Sequence, residues 1–242
     1  MSTRTITRIV PLLAVAVSLL GPITANAQSD PIKIGIIGTG RIGSALARHW
    51  VAAGHEVLVS SRHPEELVDL ANELGPRARA GTPREAAAFG DVVLVSVPYA
   101  AMPQIGRDFA AELAGKIVLD TSNPVERRDG AMAIPALEKG SGIATAEFLA
   151  GTRVVRAFNC IPAASLLNEP NREPARIAIP IAADDPAARA MAERLIDDAG
   201  FDAVYIGPLE AARHFDLGQP LARGDASAAE LRRAAADVLG AN

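Results

Sequence analysis

A run of β-branched residues leads directly into a turn with three glycines between Pro31 and Gly43. The isoleucines before the turn suit a strand that is buried on both faces, as in a parallel sheet. Gly38, Gly40 and Gly43 are spaced so that the first allows a tight turn, the second lets a ligand approach the backbone, and the third lets a helix pack on the strand. The pattern predicts a strand, a turn and a helix whose N-terminus binds a phosphate.

The residues after the turn fit this prediction. Arg41 to Ala53 is alanine-rich with apolar residues at helical spacing, Gly54 is placed to end the helix, and Glu56 to Ser61 reads as a second strand. A β-α-β unit of about 30 residues with this turn is the dinucleotide-binding pattern, and the alternative is a purely structural glycine turn. The predicted pyrophosphate contacts are Gly38, Thr39, Gly40, Arg41, Ile42 and Gly43.

The residues after the second strand indicate which dinucleotide is bound. An acidic side chain that would hold the adenine ribose hydroxyls of NAD is missing between Ser60 and Pro64. Ser61 can hydrogen-bond a 2′-phosphate and Arg62 can pair with its charge, which favours NADP. The alternative is that Ser61 and Arg62 only open the next helix, with Pro64 in its first turn.

Strand and helix patterns alternate along the rest of the chain. The further strand patterns are Arg77–Ala80, Asp91–Pro98, Lys116–Ser122, Arg153–Asn159, Ala175–Ala183 and Ala203–Gly207. This alternation predicts an α/β fold of the Rossmann type, a doubly wound and mostly parallel sheet with a small C-terminal α/β extension. We expect an NADP-binding domain over residues 28–160 and an extension over 161–242 that forms the acceptor side of the cleft.

Two strand ends are expected to lie beside the ribose and nicotinamide. Open α/β sheets bind ligands at the carboxyl ends of their strands, where Val97, Pro98 and Tyr99 follow one strand and Asn123 follows the next. The alternative is that the prolines at these positions only end the strands.

The first 27 residues read as a targeting segment. Arg4 and Arg8 precede an apolar run from Ile9 to Leu20, and Ala25 to Ala27 forms a small-residue cleavage site, the layout of a Sec-type signal peptide. The run is short for a membrane span, so the cleaved protein is expected to be exported, to the periplasm, without a stable membrane span.

Composition excludes some classes of function. Removal of residues 1–27 takes away two basic residues and no acidic one, so the formal net charge moves from −4 to −6. An acidic chain without a basic run offers no surface for nucleic acid. The four histidines and the single Cys160 lack metal-ligand spacing, so no metal site is predicted, and Cys160 reads as a buried, inert thiol.

The motifs together resemble those of the NADPH-dependent deazaflavin reductases, which act on coenzyme F420, and related NAD(P)-binding oxidoreductases. The resemblance rests on residues 38–43, Ser61-Arg62, residues 96–99, residues 159–163 and residues 207–209, in the family's order and spacing. It implies NADP on the glycine turn and a flavin or deazaflavin acceptor in the cleft near Pro98 and Ile161-Pro162. Leu217 to Asn242 departs from the apolar C-terminal helix of the archaeal members.

The sequence identifies no catalytic acid or base. Hydride transfer between two rings needs mainly their alignment, and the acceptor side is assigned to Asn159, Ile161, Pro162 and His214, of which His214 is the one potential proton donor. Alternatives are a small-molecule dehydrogenase or imine reductase of the β-hydroxyacid dehydrogenase or pyrroline carboxylate reductase type, and a non-catalytic NADP-binding protein. The expected partners are a small molecule or cofactor, and a homodimer is compatible with the sequence.

Overall fold

The computed structural model describes residues 30–240, and its centre is one sheet of eight strands. In chain order the strands are β1 (Lys33–Ile37), β2 (Glu56–Ser60), β3 (Ala78–Gly81), β4 (Val92–Val95), β5 (Ile117–Asp120), β6 (Arg153–Arg156), β7 (Ala178–Ala183) and β8 (Asp202–Gly207). Their order across the sheet is β3-β2-β1-β4-β5-β6-β7-β8. β1 to β6 are parallel, β7 is antiparallel to β6, and β8 is parallel to β7. The predicted signal peptide lies outside the described residues.

Helices cover both faces of the sheet. In the described part of the chain they are α1 (Arg41–Ala52), α2 (Val68–Leu74), α3 (Pro83–Phe89), α4 (Met102–Asp108), α5 (Ala110–Leu113), α6 (Glu126–Asp129), α7 (Ala133–Lys139), α8 (Ser141–Phe148), α9 (Ala163–Asn168), α10 (Pro186–Asp198) and α11 (Ala228–Gly240). The first face packs against α1, α2, α9 and α10, and the second against α3, α4 and α8. The predicted doubly wound, mostly parallel α/β fold is therefore confirmed.

The inner strands are buried because both faces are covered. Every residue of β4 and β5 is buried, which explains their nearly uninterrupted runs of valine, leucine and isoleucine. β1 lies between β2 and β4. The chain adds β2 and β3 on one side of β1 and then crosses to add β4 and the later strands on the other side, so the strand order reverses at β1. Such a reversal leaves a crevice at the carboxyl ends of the strands, which is where this type of sheet binds ligands.

The C-terminal part continues the same sheet. From Pro31 onward the chain forms one compact unit, and β7 and β8 extend it beyond β6. α11 buries Leu231 and Ala235 in a small core against these two strands, so it is amphipathic. No finding divides the unit at residue 160, and that boundary stays a prediction. None of the helices within residues 30–240 has the length and hydropathy needed to cross a membrane.

Candidate functional site

The glycine turn lies at the crevice and depends on its first and third glycines for its shape. Gly38 has a φ of 93°, and a Cβ atom placed on it would lie 2.3 Å from the Ser96 carbonyl oxygen at the end of β4. A Cβ atom on Gly43 would lie 2.4 Å from the Gly38 carbonyl oxygen. Both positions therefore require glycine, one for its positive φ and one for the close approach of α1.

Gly40 is different because nothing in the described structure needs the space beside it. It is the N-cap of α1, has a φ of −81°, and forms no side-chain cap. A Cβ atom on Gly40 would meet no atom within 4 Å. The first backbone N–H groups of α1 have no intrahelical acceptor, so an open space faces unpaired donors at the positive end of a helix. This arrangement fits a pyrophosphate group.

The Thr39 side chain fixes the turn to the end of β2. Its hydroxyl donates to the Ser60 carbonyl oxygen at 3.0 Å and accepts from the Ser60 N–H at 2.9 Å, and the Thr39 N–H also donates to that carbonyl at 3.2 Å. Thr39 was predicted to contact the cofactor. Its side chain and its backbone N–H are both already paired with Ser60, so the described role of Thr39 is to hold the turn in place.

Ser61 and Arg62 follow β2 directly beside this turn. The Ser61 Oγ accepts from the His63 N–H at 2.9 Å and keeps its own proton free for a further acceptor. Arg62 is exposed and forms no hydrogen bond or ion pair with another described residue. An unpaired guanidinium and a serine hydroxyl at the end of β2 suit a 2′-phosphate.

The loop after β4 is held in place by a buried carboxylate. Asp129 accepts from the Ala100 N–H at 3.2 Å and from the Val125 N–H at 2.8 Å, and it pairs with Arg128 at 2.9 Å. Burial alone would raise the pKa of Asp129, but the hydrogen bonds from Arg128, Val125 and Ala100 outweigh it and hold the pKa below its usual range. Asp129 therefore joins the loops that follow β4 and β5.

The structure places the residues predicted after β4 at different depths. Val97 is half-buried and Pro98 is exposed, so both border the crevice. Tyr99 is fully buried, and its hydroxyl lies 3.2 Å from Thr145 Oγ1 and 3.4 Å from the Ser141 carbonyl oxygen. Burial raises the pKa of Tyr99 to about 12. The Tyr99 ring belongs to the core, so a cofactor contact from this residue would involve its main chain.

Asn123 and Asn159, predicted on opposite sides of the cleft, are joined directly. Asn123 Nδ2 donates to the Asn159 carbonyl oxygen at 2.7 Å, and Asn159 Nδ2 donates to Asn123 Oδ1 at 3.3 Å. Asn159 Nδ2 also donates to the Phe215 carbonyl oxygen at 2.9 Å. The two side chains, named here the amide pair, therefore bridge the ends of β5 and β6 and reach the segment after β8.

A buried arginine beneath the amide pair was missed by the sequence analysis. Arg156, at the end of β6, is fully buried and donates from Nη1 to Asp120 Oδ2 at 2.7 Å, and its Nη2 lies 3.5 Å from Asp216 Oδ1. Burial alone would lower the pKa of Arg156, but the charges of Asp120 and Asp216 raise it. The available signals were an arginine that follows two valines at the end of β6 and an aspartate that ends the neighbouring strand β5.

The other acceptor-side residues differ in accessibility. Ile161 is buried in the core, Pro162 is exposed, and His214 is half-buried with no hydrogen bond from its ring to another described residue. A Cβ atom on Gly224 would lie 2.5 Å from both the Cys160 carbonyl oxygen and Pro162 Cδ, so the C-terminal segment packs closely here. Cys160 is partly exposed and not fully buried as predicted, although desolvation raises the pKa of its thiol to about 12, in line with an inert thiol.

The described residues contain no group of three or more His, Cys, Asp or Glu side chains placed to hold a metal ion. The potential ligands of the site are thus backbone N–H groups, one free guanidinium, hydroxyls and amides. These groups are chemically suited to an anionic, amide-bearing molecule, and the described site includes no arrangement of a nucleophile with a base.

Comparison with known proteins matches a family model and several relatives. A model of the family described as coenzyme F420-dependent NADP oxidoreductase matches residues 33–124. The chain is 31% identical over 204 residues to an F420-dependent NADP reductase of Methanothermobacter thermautotrophicus. The alignment covers 78% of this chain and 87% of that relative.

Solved structures show the same fold. A hypothetical protein of Sinorhizobium meliloti matches with a TM-score of 0.68 and 30% identity, over 80% of this chain and 94% of that one. An imine reductase of Myxococcus stipitatus in complex with NADP+ matches with a TM-score of 0.56 and 20% identity, over 87% of this chain and 62% of that one. The imine reductase likeness concerns the fold alone, whereas the archaeal reductase is also related in sequence over most of its length.

Proposed function

Since this chain belongs to the family of coenzyme F420-dependent NADP oxidoreductases, we propose that it transfers hydride between the nicotinamide of NADP(H) and a deazaflavin or flavin-like acceptor. The observation that carries the proposal is the uncapped N-terminus of α1, where Gly40 leaves open space in front of unpaired N–H groups. The free guanidinium of Arg62 at the end of β2 supports NADP over NAD.

The residues present fit a bound dinucleotide. The turn from Gly38 to Gly43 would hold the pyrophosphate, and Ser61 with Arg62 would hold the 2′-phosphate. Val97, Pro98 and Asn123 would border the ribose and nicotinamide. When bound, NADPH supplies the hydride itself, so the protein has to bind the two rings, align them and exclude water.

The absence of an evident acid or base fits this chemistry. Transfer of a hydride leaves the reduced acceptor as an anion that takes its proton from solvent, so the step itself needs no protein acid. Asn159, Ile161, Pro162 and His214 would shape the acceptor side. A deazaflavin is the favoured acceptor because the archaeal relative is named an F420-dependent NADP reductase. Flavins remain the second class of acceptor to test, since they also accept hydride.

The dehydrogenase and imine reductase alternative has less support. This chain covers only 62% of the imine reductase that shares its fold, so a large part of that enzyme has no counterpart in the alignment. Among the residues predicted at this end of the sheet, Tyr99 is buried and His214 is the one potential proton donor that a small-molecule reductase could use.

The proposed location is outside the cytoplasm. It rests on the basic residues, apolar run and small-residue cleavage site of residues 1–27. Sequencing the N-terminus of the protein recovered from the periplasmic fraction would test it, with Gln28 expected as the first residue. An intact N-terminus on a protein found only in the cytoplasm would contradict it.

A fluorescence titration tests the cofactor directly. Trp50 is the only tryptophan and lies fully buried in α1, the helix that begins at the glycine turn. We expect NADPH to quench its emission at lower concentration than NADH. Absorbance of NADPH is then followed with coenzyme F420, FAD and FMN as separate acceptors. Binding without turnover by any of them would favour a non-catalytic NADP-binding protein, and absence of binding would exclude the enzyme.

A further inference from the structure

Three buried side-chain atoms of one cluster lack a hydrogen-bond partner among the described residues. They are Arg156 Nε, Ser122 Oγ and Asn159 Oδ1, all at the carboxyl ends of β5 and β6. Ser122 is 4% exposed and Asn159 is 6% exposed. Buried polar atoms are nearly always paired, so unpaired ones at a ligand-binding edge indicate a partner of complementary chemistry.

Arg156 contributes more than charge balance to this cluster. A guanidinium removed from water is costly even when it is paired, and an apolar side chain of similar size is often as stabilising. Asp120 and Asp216 compensate its charge, and each is anchored in turn: Thr145 Oγ1 donates to Asp120 Oδ2 at 2.8 Å, and the hydroxyl of Ser141 donates to Asp216. The planar guanidinium holds its N–H donors in a fixed geometry, so what Arg156 adds beyond charge lies in the groups that it orients.

The fork reaches both sides of Asn123. Arg156 Nη1 donates to the Ser122 carbonyl oxygen at 2.6 Å, immediately before Asn123 in the chain, and Nη2 lies 3.5 Å from Asn123 Oδ1. Asn123 in turn shares two hydrogen bonds with Asn159. The guanidinium thus fixes the backbone and the side chain at one member of the amide pair, and through it the other member.

The backbone at Phe158, directly before Asn159, also indicates that the position of the amide pair is constrained. Phe158 directly precedes it with a φ of 58°, although it is not glycine, and its ring packs edge-on against Trp50 with 6.4 Å between ring centroids. Left-handed backbone at a large side chain persists only where the surroundings determine it, and it is concentrated at functional sites. This turn lies between the end of β6 and Asn159, directly before the amide pair.

We propose that Arg156 is a positioning residue that holds the amide pair in the orientation required by the nicotinamide carboxamide of NADP(H). The inference rests on the proposed function. The unpaired Asn159 Oδ1 is an acceptor and the Ser122 hydroxyl is a donor, which matches the donor and acceptor of a carboxamide. Arg156 itself stays beneath these groups, so its effect on the cofactor passes through Asn123 and Asn159.

The test compares Arg156→Lys with Arg153→Lys, which changes the partly exposed arginine at the other end of β6. NADPH affinity is measured by quenching of Trp50, and the environment of the reduced nicotinamide by its own emission when bound. For Arg156→Lys we expect the affinity to change by less than about threefold, because the phosphate contacts remain, while most of the emission enhancement is lost. Arg153→Lys should match the unaltered protein in both.

Asn123→Ala leaves the buried charge in place and removes the side chain through which Arg156 is proposed to act, so it tests the amide pair if Arg156→Lys does not fold. For Asn123→Ala we again expect the NADPH affinity to be retained and most of the emission enhancement of the bound nicotinamide to be lost. Unchanged emission in the folded variants, or loss of affinity and emission in equal proportion, would overturn the positioning role. An unaltered protein that does not bind NADPH contradicts the proposed function instead, so the two failures are distinguishable.

Discussion

His55 joins the start of the sheet to a helix 143 residues further along the chain: its Nε2 lies 3.0 Å from Asp198 Oδ2 in α10. Its Nδ1 lies 3.2 Å from the Ile32 backbone nitrogen and must accept from that N–H. The ring is therefore neutral, with its single proton on Nε2 directed at the carboxylate. Protonation of Nδ1 would remove the acceptor that Ile32 needs at the beginning of β1.

We expect protein stability to fall as pH decreases below about 6.5, the ordinary pKa of histidine. Burial lowers the pKa of His55, although Asp198 partly opposes the shift. The unfolded chain then binds the proton more readily than the folded one, so the contribution is complete above the unfolded pKa and is lost towards the lower folded pKa. Urea unfolding at pH 5.5, 6.5 and 7.5 measures this.

His55→Gln should flatten this pH dependence and lower the free energy of unfolding at pH 7.5 by about 1 to 3 kcal/mol, the range for an unsatisfied buried group. His63→Gln is the matched control, because His63 is exposed and should leave stability unchanged. An equally steep pH dependence in His55→Gln would show that another group is responsible.

Arg62→Ala should convert a preference for NADPH into near-equal binding of NADPH and NADH. A charge-assisted contact with a 2′-phosphate contributes about 1.5 to 3 kcal/mol, or about 10- to 100-fold in affinity. NADH lacks that phosphate, so its affinity should not change. Arg232→Ala removes another exposed arginine, on α11, and should alter neither affinity. An Arg62→Ala protein that still prefers NADPH by the original factor would contradict the assignment.

The sequence predicted the parts of the site that depend on neighbours within one β-α-β unit. The turn at Gly38, the helix after it and the free Arg62 all follow from short spacing rules, and the structure has them where the pattern placed them. The third strand, predicted over Arg77–Ala80 and found at Ala78–Gly81, was equally local. Agreement between local preferences and the global fold explains this success.

Long-range relationships could not be predicted in the same way. Arg156 forms ion pairs with Asp120 and Asp216, which lie far from it in the sequence. No rule based on short spacing predicts these pairs. The antiparallel direction of β7 was also hidden, because alternation of side chains is the same in either direction. Tyr99 was placed at the crevice by its position after β4, but its burial depends on contacts with α8.

Cys160 should react slowly with thiol reagents in the folded protein. With its pKa raised to about 12, the thiol is far less ionised at pH 8 than an ordinary cysteine, whose pKa is about 8.5. Labelling by iodoacetamide at pH 8 should therefore proceed far more slowly than in urea-unfolded protein. Equal rates in the two states would show that the thiol is accessible and ionised, against the inert role.

Gly40→Ala should separate cofactor binding from folding. The added methyl group meets no protein atom within 4 Å and the φ of −81° suits alanine, so the loss of unfolding free energy should stay within about 1 kcal/mol, the effect of a poorer N-cap. NADPH affinity should fall at least about tenfold, because the methyl group occupies the space through which the pyrophosphate approaches the backbone.

Two further glycines make this result specific. Gly240→Ala also points into open space, at the end of α11, and should change neither stability nor affinity by a comparable amount. Gly43→Ala should instead destabilise the fold, since its methyl group would lie 2.4 Å from the Gly38 carbonyl oxygen. Thermal unfolding and Trp50 quenching on the three variants measure both quantities. Unchanged NADPH affinity in Gly40→Ala would mean that the phosphates bind elsewhere, because no protein atom competes for the space at this glycine.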